Sequence, residues 1–230
     1  MLFTQPAINQ HLPNKMLKRV AQRAAFKLNQ NNHKFIPIIV SKRSLTHGEI
    51  DRPEQAYGNG VKYLEQDHLW FRRMLSRLED DKYTFAQKRI IMDKLIMEGS
   101  QHEEIEERYS HPLFKSKVPN SQEIYSKVLA KEQELKTILK AIEKNYDNEP
   151  EFNRLSVEAA RIMREHMHQE EHEVFPMLER FCSEHEKKDL EDRMRSARPF
   201  EPTHPHPYAP NKPISGNKLN QAAGIIDQAI

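Results

Sequence analysis

Apolar residues between positions 60 and 195 recur at intervals of three and four, the spacing that places side chains on one face of a helix. This pattern predicts a first helix over Gly60–Glu79 and a second that begins at Phe85. A third carries an apolar stripe from Ile124 to Ile142, and a fourth begins after Asn148. Four helices of comparable length with short connections predict an all-α fold: an antiparallel up-down four-helix bundle over residues 55–195.

Capping residues and prolines predict where these helices begin and end. Three pairs of residues have the spacing of helix starts: Thr84 with Gln87, Asn120 with Glu123, and Asn148 with Pro150. The second helix is expected to stop near Ser110, because Pro112 cannot continue it. Pro176 is expected to act as a kink or restart, with helix resuming from Leu178 to Arg193.

Polar residues interrupt the apolar stripes near the middle of each predicted helix. They are His68, His102, Glu106, Glu132, His166 and Glu170. His102 and Glu106 are four residues apart, as are His166 and Glu170, so each pair lies on one helix face. The second pair follows the first by sixty-four residues, and each histidine precedes a proline by ten. This duplication is the main functional signal in the chain.

Buried imidazoles and carboxylates need compensating partners. For any one of these residues, a hydrogen-bonded network or exposure to solvent would compensate the polar group. A lone histidine such as His68 is then best explained as a structural core residue. For two identical pairs plus a histidine on a third stripe, two cations at the centre of the bundle account for every residue at once. Mixed carboxylate and imidazole ligands suit iron or manganese and are compatible with zinc.

From Val61 to Phe181 the chain resembles the hemerythrin-like HHE cation-binding domains. The resemblance rests on the doubled His-x-x-x-Glu-Glu motif with its following proline, and on Asp67-His68. It implies two iron ions, oxo- or hydroxo-bridged, with manganese or zinc less favoured. It also implies that Glu106 and Glu170 bridge the metals. The terminal ligands it implies are His68, His102 and His166.

The third helix departs from the family pattern, which places a histidine there. No histidine lies between His111 and His166, and Glu132 occupies the equivalent position in the stripe. We interpret Glu132 as a substitute ligand, which makes the cluster more anionic and argues against reversible oxygen carriage. Glu103, Glu107 and Glu171 are interpreted as groups that support the ligands or as solvated side chains. His168 and His172 are expected to be exposed.

The two ends of the chain differ from the bundle in composition. Residues 1–48 contain no Asp or Glu but eight Lys and Arg, and an amphipathic pattern from Lys15 to Leu28 favours a mitochondrial transit peptide over a disordered basic tail. The resulting prediction is a mitochondrial protein, with the cytoplasm as the alternative. Residues 196–230 are predicted to form a proline-rich arm with a short closing helix from Asn217.

The composition of the chain argues against some classes of binding partner. The net charge of +2, without a compact basic patch, argues against nucleic acid, and no apolar stretch is long enough to predict a membrane span. A single cysteine, Cys182, allows no internal disulfide and is expected to be structural. A monomer or weak oligomer is expected.

The sequence is compatible with three functions. The first is a di-iron protein, and therefore a candidate oxidoreductase, that binds or reacts with oxygen, peroxide or nitric oxide. The second is a non-catalytic module that senses or handles iron, with a fold that depends on metal. The third is a structural bundle that binds another protein through its C-terminal arm.

Overall fold

The computed structural model describes Leu45 and residues 47–207, and this part of the chain contains helices and no strand. It comprises α1 (His47–Ile50), α2 (Gly60–Glu79), α3 (Phe85–Ile105), α4 (His111–Lys117), α5 (Gln122–Lys144), α6 (Glu149–Gln169), α7 (Phe175–Phe181) and α8 (Glu184–Ala197). Single π-helical turns, Glu106–Ser110 and Glu170–Val174, join α3 to α4 and α6 to α7. The prediction of an all-α bundle is confirmed, and the first long helix has the predicted bounds.

Ion pairs between the long helices show that neighbours run antiparallel. In each pair of helices, the partner's number falls as the residue number rises. Examples are Arg72–Glu171 and Glu79–Arg164 between the first and fourth long segments, Arg89–Asp147 and His111–Glu132 between the second and third, and Lys131–Glu165 and Glu134–Arg161 between the third and fourth. Residues in the middle of each helix are therefore brought to one level of the bundle.

Two of the three predicted helix starts are confirmed. Thr84 and Gln87 form a reciprocal capping box at the start of α3, and the Asn148 side chain accepts a hydrogen bond from the backbone N–H of Glu151 at the start of α6. The predicted cap at Asn120 is wrong. Asn120 has a φ of 56°, in the left-handed region that asparagine tolerates, and it shapes the turn before α5 instead.

The predicted stop near Ser110 is also wrong. The backbone N–H of His111 bonds to the carbonyl of Glu106, five residues back, which closes the π turn. Pro112 then falls in the first turn of α4, where its missing N–H and fixed φ are tolerated. Pro176 occupies the same place at the start of α7. Each motif proline therefore permits the helix to continue after a π turn.

The helix predicted from Leu178 to Arg193 is divided in two. α7 ends at Phe181, and Ser183 forms a capping box with Glu186 that starts α8. The new helix packs across the start of α2 so closely that a Cβ at Gly60 would lie 2.6 Å from Cγ of Leu190. Glycine at position 60 is therefore required by the close approach of these helices.

The apolar core is divided into two clusters. One contains large side chains such as Trp70, Phe71 and Phe152, and the other contains Phe114 and Phe175. Each fully buried side chain of this kind contributes about 1.5–3 kcal/mol of hydrophobic stabilisation. This stabilisation offsets the cost of burying polar groups inside the bundle. The polar residues of the helix stripes lie in the same interior.

The predicted targeting segment, residues 1–48, falls outside the described residues except for Leu45 and the start of α1. The closing helix predicted from Asn217 also lies outside them. The Pro-rich segment is described as far as Pro207, and its first residues include the buried side chains of Arg198 and Glu201. Within the described part of the chain, the helices are too short or too polar to cross a membrane.

Candidate metal centre

The six polar residues predicted from the helix stripes meet inside the bundle. His68, His102, Glu106 and Glu170 form one group, and Glu106, Glu132, His166 and Glu170 form a second. Within each group, one candidate ligand atom from every residue lies within 4.8 Å of all the others. Two carboxylates, Glu106 and Glu170, belong to both groups. This is the geometry expected of two cations joined by bridging carboxylates, and the assignment of individual ligands stays a prediction.

Imidazole nitrogens and carboxylate oxygens in these groups lie at the separation of neighbouring ligands on one ion. Nε2 of His68 and Nε2 of His166 are each 3.3 Å from Oε2 of Glu170. Nε2 of His102 is 3.2 Å from Oε2 of Glu106. Metal–ligand bonds of about 2.1 Å that meet at about 90–110° place adjacent donor atoms about 3.0–3.4 Å apart. The histidine–carboxylate spacings therefore leave room for an ion between each pair.

The donor atoms also lack other partners. Nε2 of each of the three histidines and both carboxylate oxygens of Glu106, Glu132 and Glu170 are buried without a hydrogen bond to any described residue. Leaving one buried polar group unsatisfied costs about 1–3 kcal/mol, and more for a charged group. So many unsatisfied donors and acceptors facing one another would be strongly destabilising. Cations that coordinate these atoms would compensate them, so the residues fit a dinuclear site.

The ring of His102 is fixed from behind by Asp67. Nδ1 of His102 lies 2.9 Å from Oδ2 of Asp67, and Nη1 of Arg198 lies 2.5 Å from the same oxygen. Arg52 pairs with the other oxygen of Asp67. Burial opposes ionisation of Asp67, but the charge of Arg198 and the bond with His102 hold its pKa well below the ordinary value. A carboxylate in this position orients the imidazole, so that Nε2 faces the candidate site.

The ring of His68 is fixed in a similar way by Glu171. Nδ1 of His68 is 2.9 Å from Oε1 of Glu171, and Nη2 of Arg72 is 2.5 Å from Oε2. Burial would raise the pKa of Glu171, but the bonds from His68 and Arg72 lower it to about 2. Glu171 therefore supports a predicted ligand, whereas Glu170 beside it faces the centre.

The other two carboxylates predicted to support the ligands have different surroundings. Glu107 pairs with Lys136 of α5. Glu103 is 2% exposed, and neither of its oxygens has a hydrogen-bond partner among the described residues. Burial is the main reason that the pKa of Glu103 is raised to about 8, so its carboxyl group is largely protonated at neutral pH. Neither residue belongs to the two groups that surround the candidate metal positions.

One buried histidine beside the site was missed from the sequence. His111, the first residue of α4, is 2% exposed, and its Nε2 lies 3.2 Å from Oε1 of Glu132. A helix that stopped near Ser110, as predicted, would leave His111 outside the bundle. The available signal was the duplication itself, because His111 precedes its motif proline as Phe175 precedes Pro176. His168 and His172 are exposed, as predicted.

Burial and charge set the protonation of the donor groups. Burial lowers the pKa of His166 to about 3, so its ring is neutral and able to bind a cation. Burial also raises the pKa of Glu170 and Glu132 well above the ordinary value. Burial opposes protonation of His102, but the charge of Glu106 raises its pKa to about 9. Cation binding therefore competes with protons at several donors and is expected to strengthen as pH rises.

Comparisons with known proteins agree with this geometry. A family model described as the hemerythrin HHE cation binding domain matches residues 59–178, just over half of the chain. An uncharacterized hemerythrin-like protein of Schizosaccharomyces pombe (strain 972 / ATCC 24843) is 28% identical over 137 residues, which cover 59% of this chain and 68% of that protein. No solved structure matches the chain significantly. The chain belongs to the hemerythrin HHE cation-binding domain family.

Proposed function

We propose that this protein binds two iron ions in the centre of its bundle and binds or reacts with a small oxidant or diatomic ligand: O2, peroxide or nitric oxide. The observation that carries the proposal is the pair of buried ligand groups that share Glu106 and Glu170. Membership of a cation-binding family supports the metal-binding part of the proposal.

The composition of the site favours iron or manganese over zinc, and the resemblance to the hemerythrin-like domains implies iron. The two groups combine three imidazoles with three carboxylates and contain no thiolate. Such borderline-hard donors suit iron or manganese, whereas structural zinc sites are usually tetrahedral and rich in cysteine. Two carboxylates shared between positions would hold two ions of like charge close together and offset their repulsion. We therefore propose iron at both positions, with manganese and zinc as alternatives.

Burial restricts the size of any molecule that reaches the centre. His68, Glu106, Glu132 and Glu170 are each 0% exposed, and His102 and His166 are 2% exposed. The walls around the centre therefore exclude bulk water and large organic substrates. Ferrous iron held here would supply electrons and an exchangeable coordination position to a small molecule. The residues Asp67 and Glu171 would keep the two imidazoles on α2 and α3 aligned while that molecule binds.

The experiment is to load the metal-free full chain with ferrous iron without oxygen, then add nitric oxide, O2 or hydrogen peroxide separately. We expect new optical bands with each reagent, formed in proportion to bound iron. A zinc-loaded sample is the matched control and should give no bands. An iron-loaded protein that shows no response to any of the three would contradict the proposed reactivity.

A non-catalytic module that senses or handles iron is the second candidate. It is favoured by the density of buried carboxylates, since Glu103, Glu106, Glu132 and Glu170 all lie inside the bundle. Each of these groups, when ionised, is a buried negative charge that needs compensation, so the fold of the ionised form should depend on bound cations. Loss of helical signal on chelation, combined with no response to oxygen, peroxide or nitric oxide, would favour this function over the first.

We also propose that residues 1–48 direct the protein to mitochondria. Support comes from the acid-free composition and the basic amphipathic pattern of this segment. Fusion of these residues to a fluorescent protein tests the proposal. Mitochondrial fluorescence is expected, and diffuse cytoplasmic fluorescence would contradict it.

A further inference from the structure

Nε2 of His111 lies as close to a carboxylate oxygen as Nε2 of each of the three predicted histidine ligands does. Its Nε2 lies 3.2 Å from Oε1 of Glu132, compared with 3.2–3.3 Å for the corresponding pairs made by His68, His102 and His166. Both ring nitrogens of His111 are buried without a hydrogen-bond partner among the described residues. Neither ring nitrogen is therefore satisfied by a hydrogen bond to a described residue, and both are shielded from bulk water.

The π turn is what brings His111 to the centre. In a regular α-helix, residues five apart lie on different faces, so Glu106 and His111 would diverge. The π turn between them inserts one residue per turn and bonds the N–H of His111 to the carbonyl of Glu106. Both side chains can then face the interior. Turns of this kind are frequent at functional sites.

The segment that begins at His166 repeats the one that begins at His102, and this second repeat shows which residue occupies the position equivalent to His111. Phe175 also follows its motif glutamate by five residues, and its N–H bonds to the carbonyl of Glu170. Its ring stacks on His68, with 5.2 Å between ring centroids. The second repeat therefore accommodates an apolar ring at the equivalent position, so the repeated turn does not by itself require an imidazole there. Burial keeps this imidazole neutral, with its pKa lowered to about 4.

We propose that His111 is a fourth imidazole ligand, which binds the second metal position together with Glu132 and His166. It would supply the histidine that the third helix lacks, from the start of α4 instead. His111 is not among the residues whose ligand atoms all lie within 4.8 Å of one another, but its contact with Glu132 means that it would approach the second position from the Glu132 side. The first position would then have two imidazoles supported by Asp67 and Glu171, and the second would have two imidazoles beside a terminal carboxylate. This inference rests on the proposed dinuclear centre.

The test compares wild type with His111→Phe in the full chain. Phenylalanine matches the residue at the equivalent position of the second repeat, so the variant should fold. His185→Phe, at an exposed histidine, is the matched control. Metal-free proteins are titrated with ferrous iron without oxygen, and the loaded samples are measured by X-ray absorption to count imidazoles per iron. Circular dichroism of the metal-free forms checks that the helix content is equal.

We expect wild type and His185→Phe to bind two irons with an average of two imidazoles each. In His111→Phe the Kd of the second ion should rise by about 10- to 100-fold or more, because loss of a group that only orients a ligand already weakens binding by that factor. The imidazole count should also fall. Unchanged affinity and count in a folded His111→Phe would overturn the inference, whereas the absence of iron from wild type would overturn the proposed function itself.

His111→Gln separates ligation from positioning. A glutamine side chain can donate a hydrogen bond to Glu132 but cannot supply an imidazole. If His111 is a ligand, His111→Gln should lose the same imidazole signal as His111→Phe. If its affinity for the second ion equals that of wild type and the imidazole count does not change, His111 only positions Glu132 and the inference is wrong.

Discussion

Replacing Arg198 by methionine should destabilise the metal-free protein by about 3 kcal/mol. The guanidinium is 4% exposed and lies 2.5 Å from Oδ2 of Asp67 and 3.1 Å from Oε2 of Glu98. Removing one partner of a buried ion pair costs about 3–5 kcal/mol, because the other charge is left uncompensated. Asp67 retains its contacts with Arg52 and His102, so the cost should fall at the lower end of that range. Methionine preserves much of the packing of the arginine stem.

Urea unfolding followed by circular dichroism, in excess chelator, measures this effect without a contribution from bound metal. With a slope of about 2 kcal/mol per M, the midpoint should fall by about 1.5 M. Arg193→Met is the matched control, because Arg193 pairs with Asp189 at the surface, where both side chains are about half exposed, and it should change stability by less than about 0.5 kcal/mol. If Arg198→Met also changes stability by less than that, the Arg198–Asp67 pair does not hold the bundle together and our account of it is wrong.

Two further predictions concern the candidate bridges and the cysteine. Glu106→Ala or Glu170→Ala should abolish binding of both irons, because each residue belongs to both ligand groups, whereas His68→Ala should remove or weaken only one. Metal analysis that finds two irons in either glutamate variant would show that the bridging assignment is incorrect. The thiol of Cys182 is 7% exposed, and burial raises its pKa. Since only the thiolate reacts, alkylation of the folded protein at pH 8 should be much slower than in urea and should accelerate at higher pH than for an ordinary thiol. Equal rates in the folded and unfolded protein would contradict the burial of this side chain.

Local patterns in the sequence were sufficient to predict most of the fold. The spacing of apolar residues predicted α2 with correct bounds, and the caps at Thr84 and Asn148 set the starts of two other helices. The polar positions within the same stripes identified the six residues that meet in the core. These predictions succeeded because helix faces are determined by local spacing, which an individual sequence contains.

The errors arose where geometry departs from a regular α-helix. A proline ordinarily ends a helix, but the π turn before Pro112 places that residue in the first turn of a new helix. The same assumption concealed His111, since its face could be assigned only once the turn was known. Other contacts depend on tertiary approach. Arg198 reaches Asp67 across 131 residues of sequence, and no local pattern indicates that pairing.

The most direct test of the dinuclear centre is metal analysis of the protein purified in air, combined with its optical spectrum. A dinuclear iron centre predicts two irons per chain and ferric absorption bands that bleach on reduction. Zinc, or no metal, in a protein with unchanged helix content would contradict it.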